Sequence, residues 1–149
     1  MAIPFDPKEA SRAVDEALAF VLRETAKPIL RTLVFASPVG DPTLWQNPDA
    51  APPGYVGGKF RANWQVDVTN QLPIDDELDD VDAAGADTIR AGEIMIETAR
   101  TGDLAIWIVN NLPYGGPLND GHSTQAPAGF VEQAIAAGVA TLIPGPEEI

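Results

Sequence analysis

The sequence predicts one domain of mixed helices and strands, on three observations. Residues 6–36 carry helix-start chemistry followed by an apolar stripe at helical spacing, and residues 60–70 and 103–111 alternate with period two. Between the first helix and the first strand lies a stretch too rich in proline and glycine for either. At 149 residues, 45% of them apolar and 21% charged, the chain has the size and composition to bury a single core.

Asp6 is placed to cap a helix whose first residue is Pro7, because a short polar side chain can accept an orphan N–H while proline lacks one to orphan. Val14, Leu18, Val21, Leu22, Ile29 and Leu33 then recur at spacings of three, four and seven, one stripe along the helix. Pro28 removes a backbone donor and crowds the carbonyl four residues back, so a kink or break is expected just before it. Residues 37–59 hold five prolines and four glycines and read as a long loop, with Trp45 and Tyr55 as exposed aromatics suited to a contact that orders on assembly.

In 60–70, Trp64, Val66 and Val68 alternate with Gln65, Asp67 and Thr69, which predicts a half-buried strand with the tryptophan facing inward. The segment "AAGADTIRAGEIMIETARTG" fits a helix stopped by Gly102 better than a strand through "EIMIETA". Residues 103–111, "DLAIWIVNN", are apolar on both sides of the alternation, the pattern of a strand covered on both faces. "APAGFVEQAIAAG" returns to helical spacing and is expected to end at Gly138, leaving "VATLIP" as a short last strand.

Nine Lys plus Arg against 22 Asp plus Glu give a formal net charge of −13. A surface of that sign repels phosphate backbones and anionic headgroups, so tight nucleic-acid or membrane binding is not expected. No basic start precedes an apolar core, and no run is long enough to span a bilayer; the expectation is a soluble, unprocessed chain. The absence of cysteine excludes disulfides, thiolate zinc sites and cysteine nucleophiles. Six acids, Asp75, Asp76, Glu77, Asp79, Asp80 and Asp82, fall in "DDELDDVD", which reads as a solvated loop; the sixth-position glycine and distal Glu of a calcium-binding EF-hand are missing.

The single histidine, His122, sits in "IVNNLPYGGPLNDGHSTQAPAGFVEQAI". Asp120, Ser123 and Thr124 are its neighbours, but residues adjacent on an extended loop point apart, and a triad is a spatial arrangement. One His with no Cys leaves only carboxylates for a metal, and no phosphate-cradling glycine loop is present, so neither catalysis nor a cofactor is expected. Pro113, Gly115, Gly116, Pro117 and Gly121, with Asn110, Asn111, Asn119 and Asp120, make instead a shaped loop entering a helix through "STQAPAG".

Three blocks, "SPVG" at 37–40, "GGKFRANWQV" at 57–66 and "VNNLPYGGPLNDGHSTQAPAGFV" at 109–131, resemble the neck or tail-completion protein family of tailed bacteriophages, related to the tail terminators. Family members read Ser-Pro-Val-Asp-Thr-Gly, a Gly-x-x-Arg-x-Asn-Trp strand, and Asn-Asn-Leu-Pro-Tyr-Ala before Gln-Ala-Pro-x-Gly. The chain departs from this at Gly40, in the Pro/Gly-rich insertion before "GGKF", and at Asn119-Asp120. The resemblance implies an α+β subunit with a small twisted antiparallel or mixed β-sheet packed by a long N-terminal helix and shorter helices. It implies a virion protein without enzymatic activity, made in the host cytoplasm, that forms a homo-oligomeric ring, first guess a hexamer, between connector and tail tube proteins while DNA passes without specific binding. Head-to-tail rings need two different complementary surfaces. Asn110, Asn111, Pro113, Tyr114, His122, Gln125 and Pro127 are the interface candidates, and the six acids of 75–82 the channel-lining candidates. The competing expectation is a small non-viral binding or enzymatic domain that uses the His122 loop as a ligand pocket.

Overall fold

The computed structural model describes residues 4–68, 76–100, 102 and 105–142. Its axis is helix α1, Pro7–Ala36, capped as expected: Asp6 accepts the Lys8 N–H at 2.9 Å and Pro7 opens the first turn. The expected break at Pro28 does not occur, and α1 runs through it as one element. Its C-terminal half is held by the core, where Ala26, Leu30, Leu33 and Val34 are buried, and that packing offsets the roughly 3 kcal/mol that an interior proline costs.

Single 3₁₀ turns at Pro42–Leu44 and Pro48–Ala50 punctuate the long loop, which therefore has local structure of its own. Helix α2, Lys59–Ala62, replaces the start of the expected strand, and β1 covers only Gln65–Asp67. Phe60 and Trp64, four apart, both enter the core, a spacing that a helical turn and a strand share, so the alternation could not separate the two. Thr69 and Asn70 lie outside the described residues.

Helix α3 is Ala86–Glu97, ending short of Gly102. Strand β2, Trp107–Val109, pairs antiparallel with β1 in the register Gln65↔Val109, Val66↔Ile108 and Asp67↔Trp107. Among the described residues the sheet has two strands, and β2 is not enclosed on both faces, since Trp107 is exposed and its neighbours half-buried. Asp103 and Leu104 lie outside the described residues. A short helix α4, Gly115–Asn119, stands where only turns were expected, and α5, Phe130–Ala140, continues two residues past Gly138. Val139 and Ala140 are thus helical rather than the start of a last strand, whose remainder beyond Leu142 lies outside the described residues.

The layers are helix on helix with the small sheet at one side. Helix α5 packs along α1, where a side chain on Gly138 would run into Ile29 and the Thr25 carbonyl, so glycine sets the distance of approach. On another face of α1, α3 is tied by Lys27 and Arg23 to Glu97 and by Arg31 to Glu93. Phe130, Leu30, Ile96 and Val34 close the core between them. The result is a mixed helix and antiparallel-sheet architecture dominated by the N-terminal helix, compatible with α+β.

Candidate functional site

The C-terminal end of α1 is where the three separated sequence blocks meet. Ser37 ends the helix, fully buried; its hydroxyl donates to the Leu33 carbonyl at 2.6 Å and accepts the Trp64 indole N–H at 2.8 Å. Arg61 reaches the same helix end with a three-way fork, to Ser37 O (2.9 Å), Phe35 O (3.1 Å) and Ala83 O (2.7 Å). A guanidinium there satisfies carbonyls that the helix leaves unpaired and sits at the negative end of its dipole.

Between the first and second blocks, Gly58 N–H donates to Val39 O at 2.6 Å. Gly58 has φ +107° and lies against the backbone of Asp82 and Ala83, so neither its conformation nor its surroundings admit a side chain. Asn63, with no exposed surface, clasps Leu78 in both directions: its Oδ1 accepts the Leu78 N–H at 2.8 Å and its Nδ2 donates to the Leu78 carbonyl at 3.0 Å. Arg61 and Trp64 therefore tie the end of α1, and Asn63 the segment at Leu78, to the short α2 region.

The third block closes on the same point. Asn110 Nδ2 donates to Phe60 O at 2.9 Å, and the Phe60 ring meets Trp64, Tyr114 and Phe130 at centroid distances of 6.0, 5.6 and 6.3 Å. Gln125 bonds both backbone groups of Asp41, accepting its N–H at 2.7 Å and donating to its carbonyl at 3.2 Å. Asn119, the last residue of α4, caps α5: its Oδ1 accepts the Val131 N–H at 3.0 Å, and its amide donates to Glu132, whose carboxyl that bond holds below its ordinary range.

These elements surround an open cleft of about 670 Å³. Trp45, Tyr55, Phe60 and Tyr114 supply aromatic walls, and Lys59, His122 and Gln125 stand among the polar groups. Trp45 and Tyr55, half-buried, meet edge to face at 5.1 Å, so the long loop is packed against itself here. Burial pushes the Tyr114 hydroxyl above its ordinary pKa, with Tyr55 and Glu77 adding to the shift. Ser123 Oγ accepts the Gln125 N–H at 3.1 Å, and the exposed His122 has its backbone N–H on Pro117 O. Among the described residues no three of His, Asp and Glu gather as a metal site, and no helix is long and apolar enough to cross a membrane.

The interface candidates thus divide. Asn110 and Gln125 spend their amides inside the subunit, and half-buried Asn111 donates to Asp76 O at 3.2 Å; Pro113, Tyr114, His122 and Pro127 are exposed. Of the channel candidates, Asp76, Glu77, Asp79 and Asp80 are exposed, and Asp75 lies outside the described residues. Asp82 is a correction to the picture of a solvated loop. Its carboxylate accepts Gly85 N–H (2.7 Å) and both the N–H and hydroxyl of Thr88 (2.9 Å each), anchoring the start of α3. Burial pushes its pKa up, but the Thr88 and Gly85 hydrogen bonds outweigh that and hold it below the ordinary carboxylate value. The backbone of the acid run is pinned as well, by Asn63 at Leu78 and by Gln65 and Asn111 at Asp76.

Sequence reasoning passed over Arg61, Asn63 and Asn119 as functional positions. It also passed over the N-terminal part of α1, where every residue from Asp6 to Leu18 except half-buried Ala10 is exposed, Val14 and Leu18 among them. The signal was present in the helical stripe itself, to which Val14 and Leu18 belong. Compared with known proteins, the chain matches no family model, no curated protein and no solved structure.

Proposed function

We propose that the chain is a structural subunit of the neck of a tailed bacteriophage, a tail-terminator-like α+β protein that assembles into a closed ring joining tail to head. The observation that carries this reading is the convergence of the three resembling blocks. Ser37, Arg61, Trp64, Asn110 and Gln125 come from segments up to 88 positions apart in number, and their polar groups knit one corner of the subunit. Motif residues spent on holding a surface in shape, rather than converging on a reacting atom, suit a protein whose task is to be fitted by neighbours.

Two further features support assembly. The subunit exposes Val14, Leu18, Phe20 and Phe35 on α1 and Ile135 and Val139 on α5, apolar side chains that neighbouring copies in a ring would cover. The acidic surface suits a ring that double-stranded DNA traverses, since carboxylates repel phosphates and offer no counterion release to hold them. Size-exclusion chromatography with light scattering tests the reading: a mass several times 15.8 kDa supports it, and a persistent monomer opposes it.

The second reading is a small-molecule binding domain, and the specific observation in its favour is the cleft beside His122. Its volume falls in the range of ligand pockets, with aromatic walls and a few polar groups. A monomer whose melting temperature rises with an aromatic small-molecule library member, and whose response is lost in Tyr114→Ala, would favour this reading over the ring.

A further inference from the structure

Resting on the ring reading, and deepening it, we propose that the exposed N-terminal arm of α1 in one copy docks in the aromatic cleft of the next. The arm presents Ala10, Val14, Ala17, Leu18 and Val21 at i, i+4, i+7, i+8 and i+11, the anchor spacing of a helix laid into an apolar groove. Val14 is 66% and Leu18 58% exposed, so the subunit itself leaves these anchors uncovered. A dozen helical residues without packing are marginal in water, which makes a cover on the arm part of what keeps it helical.

Position excludes the arm's own cleft. The cleft begins at Pro38, two residues beyond the end of α1, and at 1.5 Å per residue Val14 stands about 33 Å from Ala36 along a continuous helix. No bend brings one end of that helix to the other, so arm and cleft meet only between molecules.

Charge selects a second copy as the occupant. Two chains of net charge −13 repel over most of their surfaces, yet no Asp or Glu lines the cleft, where Lys59 stands at 3.6 Å from the exposed Asp79 carboxylate. The arm brings Asp6, Glu9, Asp15 and Glu16 against Lys8 and Arg12, a net negative segment that meets Lys59 in competition with Asp79. An arm-to-cleft contact uses two different surfaces of each subunit, the head-to-tail arrangement that generates rings; arm against arm would stop at a two-fold dimer.

The native chain has no cysteine, so engineered thiols report contacts without background. Val14→Cys and Gln46→Cys, the latter exposed on the cleft, are prepared as separate proteins, mixed and mildly oxidised. The proposal predicts disulfide-linked pairs at least tenfold more abundant in the mixture than in either variant alone. Val14→Cys coupling to itself, or no coupling while light scattering still reports the oligomer, overturns the proposal and leaves the ring reading standing. A native chain that is monomeric throughout overturns both. Leu18→Lys gives an independent readout: because Leu18 is exposed in the subunit, the variant should stay soluble and folded while assembly weakens at least tenfold. Unchanged assembly, or rescue only by an unrelated virion protein seated on the arm, overturns it.

Discussion

The bond between Ser37 and Trp64 joins the first resembling block to the second, and a double-mutant cycle measures what it contributes. Trp64 is 9% exposed and Ser37 1%, so neither group has water as an alternative partner. Ser37→Ala removes the acceptor 2.8 Å from the indole nitrogen, leaving a buried donor unsatisfied at a cost of about 1–3 kcal/mol. Leu33 O keeps the Ser37 backbone N–H at 3.1 Å, so the loss of the hydroxyl's own donation adds little. Trp64→Phe gives up part of a core side chain, less than the roughly 3–5 kcal/mol of truncation to alanine. The same substitution removes the donor, so the double variant should be more stable than the sum of the two losses predicts by about 1 kcal/mol. Urea unfolding of the four proteins reads this, and each 1 kcal/mol should move the melting temperature by about 2–4 °C for a domain of this length. Additivity within about 0.3 kcal/mol would refute the claim that this bond couples the blocks. Trp64→Ala should yield insoluble or unfolded subunit; a variant that folds normally and fails only to assemble would place the tryptophan at an interface.

Gly138→Ala should destabilise by about 1–3 kcal/mol in thermal melts, the cost of overpacking α5 on α1, even though alanine is otherwise the better helix former by roughly 1 kcal/mol; a rise in stability would show that the helices can separate. Asp82 has a depressed folded pKa, so its contribution is present above its unfolded value of about 3.9 and is lost as pH falls through the folded one. Asp82→Asn should therefore be less stable than the native chain at pH 7, with the gap narrowing as pH falls below the ordinary carboxylate range; a gap that does not narrow in acid contradicts this. His122→Ala should leave assembly within about threefold of native, since one exposed polar side chain of the cleft contributes little beside its aromatic walls. Loss of an enzymatic activity on that change would overturn the structural-protein reading. Replacing Asp76, Glu77, Asp79 and Asp80 by lysine should slow DNA ejection from assembled virions while head-tail joining persists, and a normal rate returns these acids to the role of a solvated loop.

Local signals were the legible ones. Asp6 and Pro7 announce α1 because a cap and a missing donor act within one turn, and the helical stripes of α3 and α5 were readable without their partners. Short elements were not: α2 and α4 are four and five residues long, less than one and a half turns, so no periodicity can develop in them. Pro28 does not break α1, because the packing that carries the helix through it comes from α3 and α5, far away in sequence. The loop from 37 to 59 was read as open because its ties, Gln125 to Asp41 and Gly58 to Val39, depend on the tertiary fold. At the site, His122 drew the eye by being single, while Arg61 and Asn63 work through partners up to 26 positions away and give no local sign. The exposed α1 arm shows the limit of a stripe: spacing says that a face will be covered, and not whether by the same chain or another.

The central claim, that this chain is built to form a ring, is tested most directly by negative-stain electron microscopy of the purified protein. The account predicts class averages of closed rings with a central opening and rotational symmetry, six copies being the expected number. A field of single 15.8 kDa particles, or of two-fold dimers that do not grow with concentration, would contradict it.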